Sequence, residues 1–329
     1  MDRSTAQPGT AGAGETLAAS SEFDLIQQVT RGLVMSPAVS VGPGDDAAVY
    51  LVNGSAVTST DLLVEGVHFR RDWSTAEQVG RKAVAVNVAD LEAMGARPVA
   101  MVVALGAPAE LPVSWVREFS TGVRSEADLA GIVLVGGDTT AARDVTVCVT
   151  VIGETAGAGP VLRSGAAAGQ VVAVRGRLGW AAAGLAALGR GFRSPRAAVD
   201  AQRVPRPPYG AGREAALAGA TAMIDVSDGL VADLGHIAEA SGVVIDLDSS
   251  CVVVDEPVAT VAAATGIDPL ELVLGGGEDH TLAACFAASD VPPGWQVLAA
   301  VHEPGPGARP GVLVDAKPWT GPAGWDHFG

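Results

Sequence analysis

Two aspartates in the second half of the sequence have the surroundings of a metal and phosphate site. Asp225 ends an apolar run, and Ser227, Asp228 and Gly229 directly precede residues 230–237, where apolar side chains recur at helical spacing. Ser227 or Asp228 would be a natural N-cap, so both aspartates are predicted at a strand-to-helix corner beside free backbone N–H groups. Carboxylates next to such groups suit a divalent cation that carries phosphate. The alternative is that Asp228 only caps the helix and Asp225 is a solvated turn residue.

Aspartate recurs with glycine or a hydroxyl residue at the ends of other apolar runs. These segments are 44–47, 59–61, 90, 136–140 and 275–279. Each acidic turn alone is most simply explained as a turn former. Asp90 is the exception, because it lies in the almost wholly apolar helical stretch 82–94, where a buried carboxylate is costly unless it is paired or binds a metal. Asn87 and Met94 share its helix face, and Arg97, two turns away, is the rival partner.

The residue types predict the kind of metal. No cluster of His and Cys accompanies the aspartates, so Mg²⁺, or Mn²⁺ in its place, is expected rather than Zn²⁺. Two carboxylates ~4 Å apart repel each other by about 4 kcal/mol at an effective dielectric constant of 20. An acidic site of this kind can therefore bind a polyphosphate only through cations.

The elements that must position these residues fall into two domains. Residues 1–20 are predicted as a disordered tail, 21–155 as a first domain and 156–329 as a second. The Gly-, Pro- and Ala-rich stretch 155–169 marks the boundary.

Hydrophobic periodicity predicts the helices and strands of each domain. For the first domain the predicted strands are 47–52, 56–61, 99–105 and 145–152, and the predicted helices are 21–33, 74–94 and 114–129. Ser74 and Glu77 match a capping box for the second of these helices. Residues 131–137 are predicted as a strand that ends in two glycines before Asp138. For the second domain the predicted strands are 171–174, 243–247 and the strand-like run 272–275, and the predicted helices are 180–188 and the one that begins near 228.

The composition excludes several classes of function. The formal net charge of −16 argues against nucleic acid or an anionic membrane as the main partner. No apolar run reaches the ~18 residues of a membrane span, and the N-terminus lacks the hydrophobic segment of a signal peptide. Cys148, Cys251 and Cys285 have no C-x-x-C spacing and are expected to be reduced core residues. The cytoplasm is the expected location.

The acidic motifs resemble, in order, those of the thiamine-monophosphate kinase family. The motifs are Gly44-Asp-Asp-Ala47, Ser59-Thr-Asp61 leading to Glu65-Gly-Val-His68, Val86-Asn-Val-Ala-Asp90 with Met94-Gly-Ala96, Gly136-Gly-Asp-Thr139, Asp225-Val-Ser-Asp-Gly229 and Gly276-Gly-Glu-Asp279. The resemblance covers about residues 22–328. The family belongs to a superfamily of ATP-using synthetases that includes aminoimidazole ribonucleotide synthetase and selenophosphate synthetase.

This resemblance implies a mixed α/β (α+β) synthetase-like fold of two domains. The N-terminal domain would bind ATP and Mg²⁺, and its mixed sheet would form a barrel with that of a second copy in a homodimer. The C-terminal α/β domain would complete an active site in the cleft between the domains.

The resemblance also implies an activity and a set of site residues. ATP would phosphorylate thiamine monophosphate to thiamine diphosphate with several Mg²⁺ ions and without a phospho-enzyme, since an ionised phosphate acceptor needs no general base. The metal-binding positions of the family match Asp46, Ser59, Thr60, Asp61, Asp90, Asp138, Asp225 and Asp228, and its nucleotide contacts match Gly137, Asp138, Arg163 and Ser227. The thiamine-phosphate contacts match His68, Glu278 and Trp325. The chain has His280 where the family often has Tyr, and Ala89 where it often has Ser.

Two alternatives remain open from the sequence. The chain could act on another substrate of the superfamily, although it lacks the N-terminal reactive Cys or selenocysteine of selenophosphate synthetases and the C-terminal Cys of hydrogenase-maturation members. It could instead be a non-catalytic sensor of Mg-nucleotide. A missing metal ligand would favour the sensor, yet every ligand position is filled.

Overall fold

The computed structural model describes residues 16–19, 22–43, 47–322 and 324, with the backbone alone for 19 and 22–24. The first half contains α1 (Glu22–Thr30), β1 (Val39–Val41), β2 (Val49–Tyr50), β3 (Ala56–Val64), α2 (Ala76–Ala93), β4 (Arg97–Ala107), α3 (Val113–Ala130), β5 (Val133–Ala141) and β6 (Thr146–Glu154). Leu17–Ala19, predicted within the disordered tail, forms a 3₁₀ turn in which the Leu17 N–H donates to Leu111 O at 3.0 Å.

The first half is a four-stranded sheet covered on one face by two helices. The strand order is β3-β6-β4-β5, and only β4 and β5 are parallel. Glycines allow α2 and α3 to pack closely, because a Cβ on Gly80 would lie 2.2 Å from Phe119 O and one on Gly122 would lie 1.9 Å from Glu77 O. The opposite face of the sheet packs at one end against the β1–β2 hairpin.

The helix boundaries of the first half differ from the predicted ones in detail. The α2 capping box is formed by Thr75 and Gln78, one residue after the predicted pair Ser74 and Glu77. The Ser74 N–H instead donates to Arg70 O, so Ser74 still belongs to the preceding turn. In α1 the Leu25 side chain is buried, whereas Ile26 is 36% exposed.

Two strands of the first half also differ from the prediction. Of the predicted strand 47–52 only Val49–Tyr50 is a strand, and it pairs with β1 rather than joining the four-stranded sheet. β5 continues through both glycines to Ala141, so Asp138 lies inside a strand rather than after its end. Gly137 is required there by the neighbouring strand, because a Cβ would lie 2.0 Å from Val103 O.

The second half contains a larger sheet with helices on its faces. Its elements are β7 (Val171–Arg175), α4 (Trp180–Gly189), α5 (Arg196–Arg203), α6 (Ala211–Leu217), β8 (Ala222–Val226), α7 (Leu230–Ser241), β9 (Val244–Leu247), α8 (Glu256–Thr265), α9 (Pro269–Leu274), β10 (Thr281–Phe286), β11 (Gln296–His302), β12 (Gly311–Val314) and β13 (Lys317–Pro318). The strand order is β13-β12-β9-β11-β7-β10-β8, with β9 and β12 parallel and the other neighbours antiparallel.

The strand-like run predicted over 272–275 is wrong, because those residues end helix α9. Asp268 accepts a hydrogen bond from the Leu270 N–H at 2.9 Å, and Pro269 occupies the first helical turn. Both residues are typical helix starts. Leu272 and Leu274 are buried as an apolar run predicts, but in a helix that packs beside α4 and α8.

Helix α2 joins the two halves through a buried carboxylate. Glu92 accepts hydrogen bonds from the N–H groups of Gly210 (2.7 Å) and Gly212 (2.9 Å), at the start of α6. A Cβ on Gly212 would lie 1.8 Å from Glu92 O, so the two helices touch through their backbones. From α3, Glu126 accepts a hydrogen bond from the Tyr209 hydroxyl at 2.8 Å. The segment before α6 is therefore fixed to the first half.

The predicted mixed α/β fold with a sheet in each half is confirmed. The first sheet lies within residues 56–154 and the second within 171–318, while the boundary at 155/156 and the barrel across a dimer stay predictions. Cys251 is exposed rather than part of a core, whereas Cys285 is buried and Cys148 half-buried. Among the described residues, none of the helices combines the length and apolar character that a membrane span requires.

Candidate active site

A cavity of about 810 Å³ brings together acidic residues from both halves of the chain. Asp61 and Asp90 line it from the first half, and Asp225 and Asp228 line it from the second. Glu278 lies on the same wall as the second pair. Four of the predicted metal ligands therefore face a single space, although they are up to 167 residues apart in the sequence.

Strand β3 and helix α2 position the first pair of aspartates. The Ser59 hydroxyl donates to Asp90 Oδ2 at 2.5 Å, and the Asp61 N–H donates to Asn87 Oδ1 at 2.9 Å. Asn87 is completely buried and is held in turn by its own donation to Ala83 O at 2.8 Å. These bonds fix the strand to the helix, so the two carboxylates keep a constant separation.

Among the described residues, no Lys or Arg side chain forms an ion pair with the Asp90 carboxyl group. Its half-buried position and the negative charges of Asp225 and Asp61 raise its pKa to about 6, against the opposing effects of the Ser59 hydrogen bond and of His280. Arg97, the rival partner considered from the sequence, pairs with Glu154. An acidic group held in this way is poised for a cation rather than for an internal ion pair.

Asp61 is exposed to the cavity, yet its pKa is also raised. Desolvation by the cavity walls is the main cause, and the Asp225 and Asp228 carboxylates add to it against the opposing effect of His280 and His68. The mutual repulsion of these aspartates shows that the acidic groups are close enough to share counterions.

The corner after β8 positions the second pair. Gly229, rather than Ser227 or Asp228, is the N-cap of α7, and its φ of 138° is one that L-residues rarely adopt. The cap hydrogen bonds are supplied by Asp233, whose Oδ2 accepts from the N–H groups of Asp228 and Gly229, each at 3.1 Å. Asp225 is only 5% exposed. Asp228 is therefore not the cap of the helix, and Asp225 is not a solvated turn residue.

His280 holds the Asp225 carboxylate in place. Its Nδ1 lies 3.0 Å from Asp225 Oδ2, and both side chains are buried. Burial alone would lower the pKa of His280, but the hydrogen bond and charge of Asp225, with the charges of Glu278 and Asp90, raise it. His280, at the position where the sequence resemblance leads us to expect Tyr, is therefore the partner of Asp225, a candidate metal ligand.

The glycine run 275–277 lets the β8 corner and the start of β10 meet. A Cβ on Gly277 would lie 2.4 Å from Ser227 O, and one on Gly229 would lie 2.7 Å from Gly275 O. The Glu278 N–H then donates to Ser227 O at 2.7 Å, and Glu278 adopts a φ of 65°. This left-handed conformation turns the Glu278 side chain into the cavity wall.

Sequence reasoning missed Lys82, which is a central residue of the cavity. It is 2% exposed, and its Nζ donates to Glu278 Oε1 at 2.8 Å. The signal was present, because Lys82 is one of only two lysines in the chain and interrupts an apolar helical stretch. His68, predicted as a substrate contact, lies beside it, and its Nδ1 accepts a hydrogen bond from the Val64 N–H at 3.0 Å.

Two residues predicted to contact the nucleotide, Arg163 and Ser227, also line this cavity. Asp46 and Trp325 lie outside the described residues. Gly324, which precedes Trp325 in the chain, lines the cavity as well.

Three predicted site residues face elsewhere. Thr60 lies between Ser59 and Asp61 on β3, so its side chain points to the other face of the sheet. There its hydroxyl donates to Val149 O at 2.9 Å and lies 3.0 Å from Thr150 Oγ1. A second cavity of about 890 Å³ is lined by Thr150 and Asp138 from that face, by Gly137, and by residues of α1 and α3. Within one chain, β3 and β5 are the opposite edges of the sheet, and the predicted ligands are not all assembled.

The donor set of the first cavity fits Mg²⁺ better than a metal that needs a closed protein cage. Among the described residues, no three His, Cys, Asp or Glu side chains converge tightly enough to enclose one ion. Mg²⁺ usually takes one or two carboxylates and completes its octahedron with water and substrate phosphates. The separated carboxylates of this wall match that requirement.

Models of protein families match both halves of the chain. The AIR synthase related protein, N-terminal domain, matches residues 44–155, and the corresponding C-terminal domain matches residues 167–302. The fold and the site thus define a two-domain AIR synthase related protein.

Several individual relatives that match the chain are named for one enzyme within this group. Thiamine-monophosphate kinase of Mycobacterium tuberculosis (strain ATCC 25618 / H37Rv) is 51% identical over 316 residues, covering 95% of this chain and 93% of that protein. The crystal structure of thiamine monophosphate kinase from Aquifex aeolicus is similar with a TM-score of 0.75 and 29% identity, over 91% of this chain and 96% of that one. A structure described as AaThiL complexed with AMPPCP and TMP has a TM-score of 0.76 and 33% identity, over 93% and 96% of the two chains. The chain belongs to the thiamine-monophosphate kinase family.

Proposed function

We propose that the protein transfers a phosphoryl group from ATP to thiamine monophosphate, giving thiamine diphosphate and ADP. The observation that carries the proposal is the cavity in which Asp61 and Asp90 of one half meet Asp225 and Asp228 of the other. Such carboxylates suit cations that bridge the phosphates of two substrates. The relatives named as thiamine-monophosphate kinases, and the related structure with AMPPCP and TMP, support the choice of substrates.

The four cavity aspartates, together with Ser59, would hold Mg²⁺ ions, or Mn²⁺ in their place. Asp46, Thr60 and Asp138 complete the proposed set of ligands. When bound, the ions supply positive charge to the phosphate groups, which the acidic wall would otherwise repel.

The proposed reaction is an in-line displacement. An ionised phosphate oxygen of thiamine monophosphate attacks the γ-phosphorus of ATP, one P–O bond forms as the bond to the β-phosphate oxygen breaks, and ADP leaves with the electron pair. The acceptor attacks ATP directly, so no phospho-enzyme is proposed, and its oxygen is already ionised, so no general base is proposed. The chain contributes positioning: Gly137, Asp138, Arg163 and Ser227 for the nucleotide, and His68, Glu278 and Trp325 for the acceptor.

We also propose that two copies form a homodimer in the cytoplasm, with the first-half sheets joined in a barrel. The sheet face that carries the Thr60 and Asp138 side chains supports this arrangement, because α2 and α3 pack on the opposite face of the sheet. A second copy would bury that face and bring an additional sheet edge to it.

The test is a coupled assay of ADP release with three candidate acceptors. Purified protein with MgATP should release ADP with thiamine monophosphate, and neither thiamine nor an aminoimidazole ribonucleotide precursor should replace it. Chromatography should show thiamine diphosphate formed in equal amount. ADP release with another acceptor would assign a different substrate, and tight MgATP binding without turnover on any acceptor would indicate a nucleotide sensor.

A further inference from the structure

The Lys82 side chain connects three separate segments around the cavity. Its Nζ donates to Glu278 Oε1 at 2.8 Å, to His68 O at 3.0 Å and to Gln202 O at 3.3 Å. Lys82 itself belongs to α2, Glu278 to the turn before β10, and Gln202 to α5. His68 and Glu278 are the two described residues that are predicted to contact the phosphate acceptor. The Lys82 ammonium group therefore contacts the segments of both.

This geometry excludes a direct phosphate-binding role for Lys82. An ammonium group has three N–H donors, and each has an acceptor in the protein. The side chain is also 2% exposed, whereas that of Glu278 is 34% exposed and lines the cavity. The ion pair therefore has a buried end at Lys82 and an end that a ligand can reach at Glu278.

We infer that Lys82 is a positioning residue, which fixes the Glu278 carboxylate and the His68 loop relative to each other so that together they orient the thiamine part of the acceptor. The inference rests on the proposed function, because it assigns the acceptor side of the cavity to thiamine monophosphate. Glu278 keeps one carboxylate oxygen that Lys82 does not bind, and this oxygen can face a cationic or hydrogen-bond-donating group of the ligand. A carboxylate suits thiamine, which carries a positive charge on its thiazolium ring and an amino group on its pyrimidine ring.

The position of Lys82 on α2 adds a second consequence. The same helix carries Asp90, eight residues further along, which the proposed function assigns to the metal side of the cavity. The spacing between the oriented acceptor and the phosphate-binding end is thus set by one rigid element. Errors of about 1 Å in such a spacing can cost roughly 100-fold in rate.

The experiment compares Lys82→Met with Lys317→Met, the only other lysine in the sequence, which is exposed. In Lys82→Met, kcat/KM for thiamine monophosphate should fall roughly 100-fold, while KM for ATP changes less than about threefold. Lys317→Met should behave as the wild type. Equal losses for both substrates in Lys82→Met would overturn the inference.

A double-mutant cycle with Glu278→Gln tests whether Lys82 acts through Glu278. If it does, adding Lys82→Met to Glu278→Gln should lower kcat/KM for thiamine monophosphate much less than it does in the wild type. If the loss in kcat/KM of the double variant equals the product of the losses of the two single variants, Lys82 acts independently of Glu278.

Lys82→Met leaves a carboxylate without its cation and could fail to fold. The variant Lys82→Met/Glu278→Met removes both charges and should fold, because replacing a buried ion pair with apolar residues is tolerated better than breaking it. Its affinity for thiamine monophosphate, measured by calorimetry, should be reduced and its affinity for MgADP retained. Unchanged affinity for thiamine monophosphate would overturn the inference. Absence of thiamine monophosphate turnover in the wild type would instead overturn the proposed function.

Discussion

At the scale of single residues, the acidic side chains are arranged to need cations. Asp90 has the hydroxyl of Ser59 as its hydrogen-bond donor and no Lys or Arg partner among the described residues. Burial, with the charges of Asp225 and Asp61, raises its pKa to about 6. Asp225 is held by His280, and Asp228 is released from the capping role because Asp233 fills it. Each carboxylate is oriented by a neighbour that leaves oxygen atoms available to a ligand.

Replacing Asp90 with Asn should therefore remove activity without harming the fold. We expect kcat to fall by roughly 10²- to 10³-fold, because charge stabilisation in the transition state is lost. The melting temperature should stay equal or rise, since the folded state raises the pKa of Asp90 and thus disfavours its charge at neutral pH. Asp128→Asn, at an exposed position of α3, is the control. Near-wild-type activity of Asp90→Asn at limiting Mg²⁺ would make Asp90 a structural residue.

Trp325 carries a prediction that comes from the sequence and the family resemblance. It follows a Gly-Pro-Ala-Gly segment, and an indole face can meet the thiazolium charge of thiamine. Trp325→Ala should raise the KM for thiamine monophosphate much more than that for ATP, with little change in melting temperature. If both KM values rise equally, or if the melting temperature drops strongly, Trp325 only attaches the chain end to the second half.

At the scale of elements, close packing of α2 against α3 positions the site. α2 carries Lys82, Asn87 and Asp90, so any displacement of this helix moves all of them. The contact depends on Gly80 and Gly122, at which a Cβ would overlap the backbone of the other helix.

A pair of glycine substitutions tests this contact. Gly122→Ala should destabilise the protein by roughly 1–3 kcal/mol, because the added Cβ would lie 1.9 Å from Glu77 O. Gly235→Ala in α7 is the matched control, since nothing lies within 4 Å of its Cβ position, and it should stabilise by about 0.5–1 kcal/mol. Unfolding in urea measures the change in the free energy of unfolding for each of the two variants. If Gly122→Ala leaves the free energy of unfolding unchanged, the two helices can move apart without loss of stability.

The sequence predicts which segments are helices and strands more reliably than it predicts where their side chains point. The sequence predicts the strand and helix that present Asp225 and Asp228, and also the helical stretch around Asp90. The run 272–275 was predicted as strand-like, because a short buried apolar segment gives no period that separates a strand from a helix. The opposite directions of Thr60 and Asp61, and the partners of Lys82, depend on sheet register and on contacts between segments distant in the chain, which local pattern does not contain.

At the scale of the whole molecule, the proposed ligands are divided between two faces of the first sheet. The cavity between the halves is lined by Asp61, Asp90, Asp225 and Asp228. The Thr60 side chain lies on the other face of the first sheet, beside Thr150, and Asp138 lines the second cavity. A symmetric dimer that covers the second face would explain this division, because a residue unused in its own chain could serve the other copy.

Sedimentation equilibrium at micromolar concentration should therefore show a dimer. Leu62, which is 49% exposed on the same face of β3 as Thr60, should lie in the contact, so Leu62→Arg should shift the equilibrium toward monomer. Val253→Arg, at a residue 58% exposed in the second half, is the control and should leave the dimer intact. A monomeric wild type at this concentration would contradict the proposal.

The cap on helix α7 has a consequence for inhibition by the nucleotide itself. Helix N-termini commonly attract free phosphate groups, but here the Asp233 carboxylate already accepts from the Asp228 and Gly229 N–H groups. Uncomplexed ATP would meet this internal anion and the aspartates around it, and the N–H groups of Asp228 and Gly229 could not compensate because Asp233 already occupies them. We therefore expect ATP added in excess over Mg²⁺, at constant MgATP, to leave the initial rate unchanged, so that uncomplexed ATP is not a competitive inhibitor of this protein.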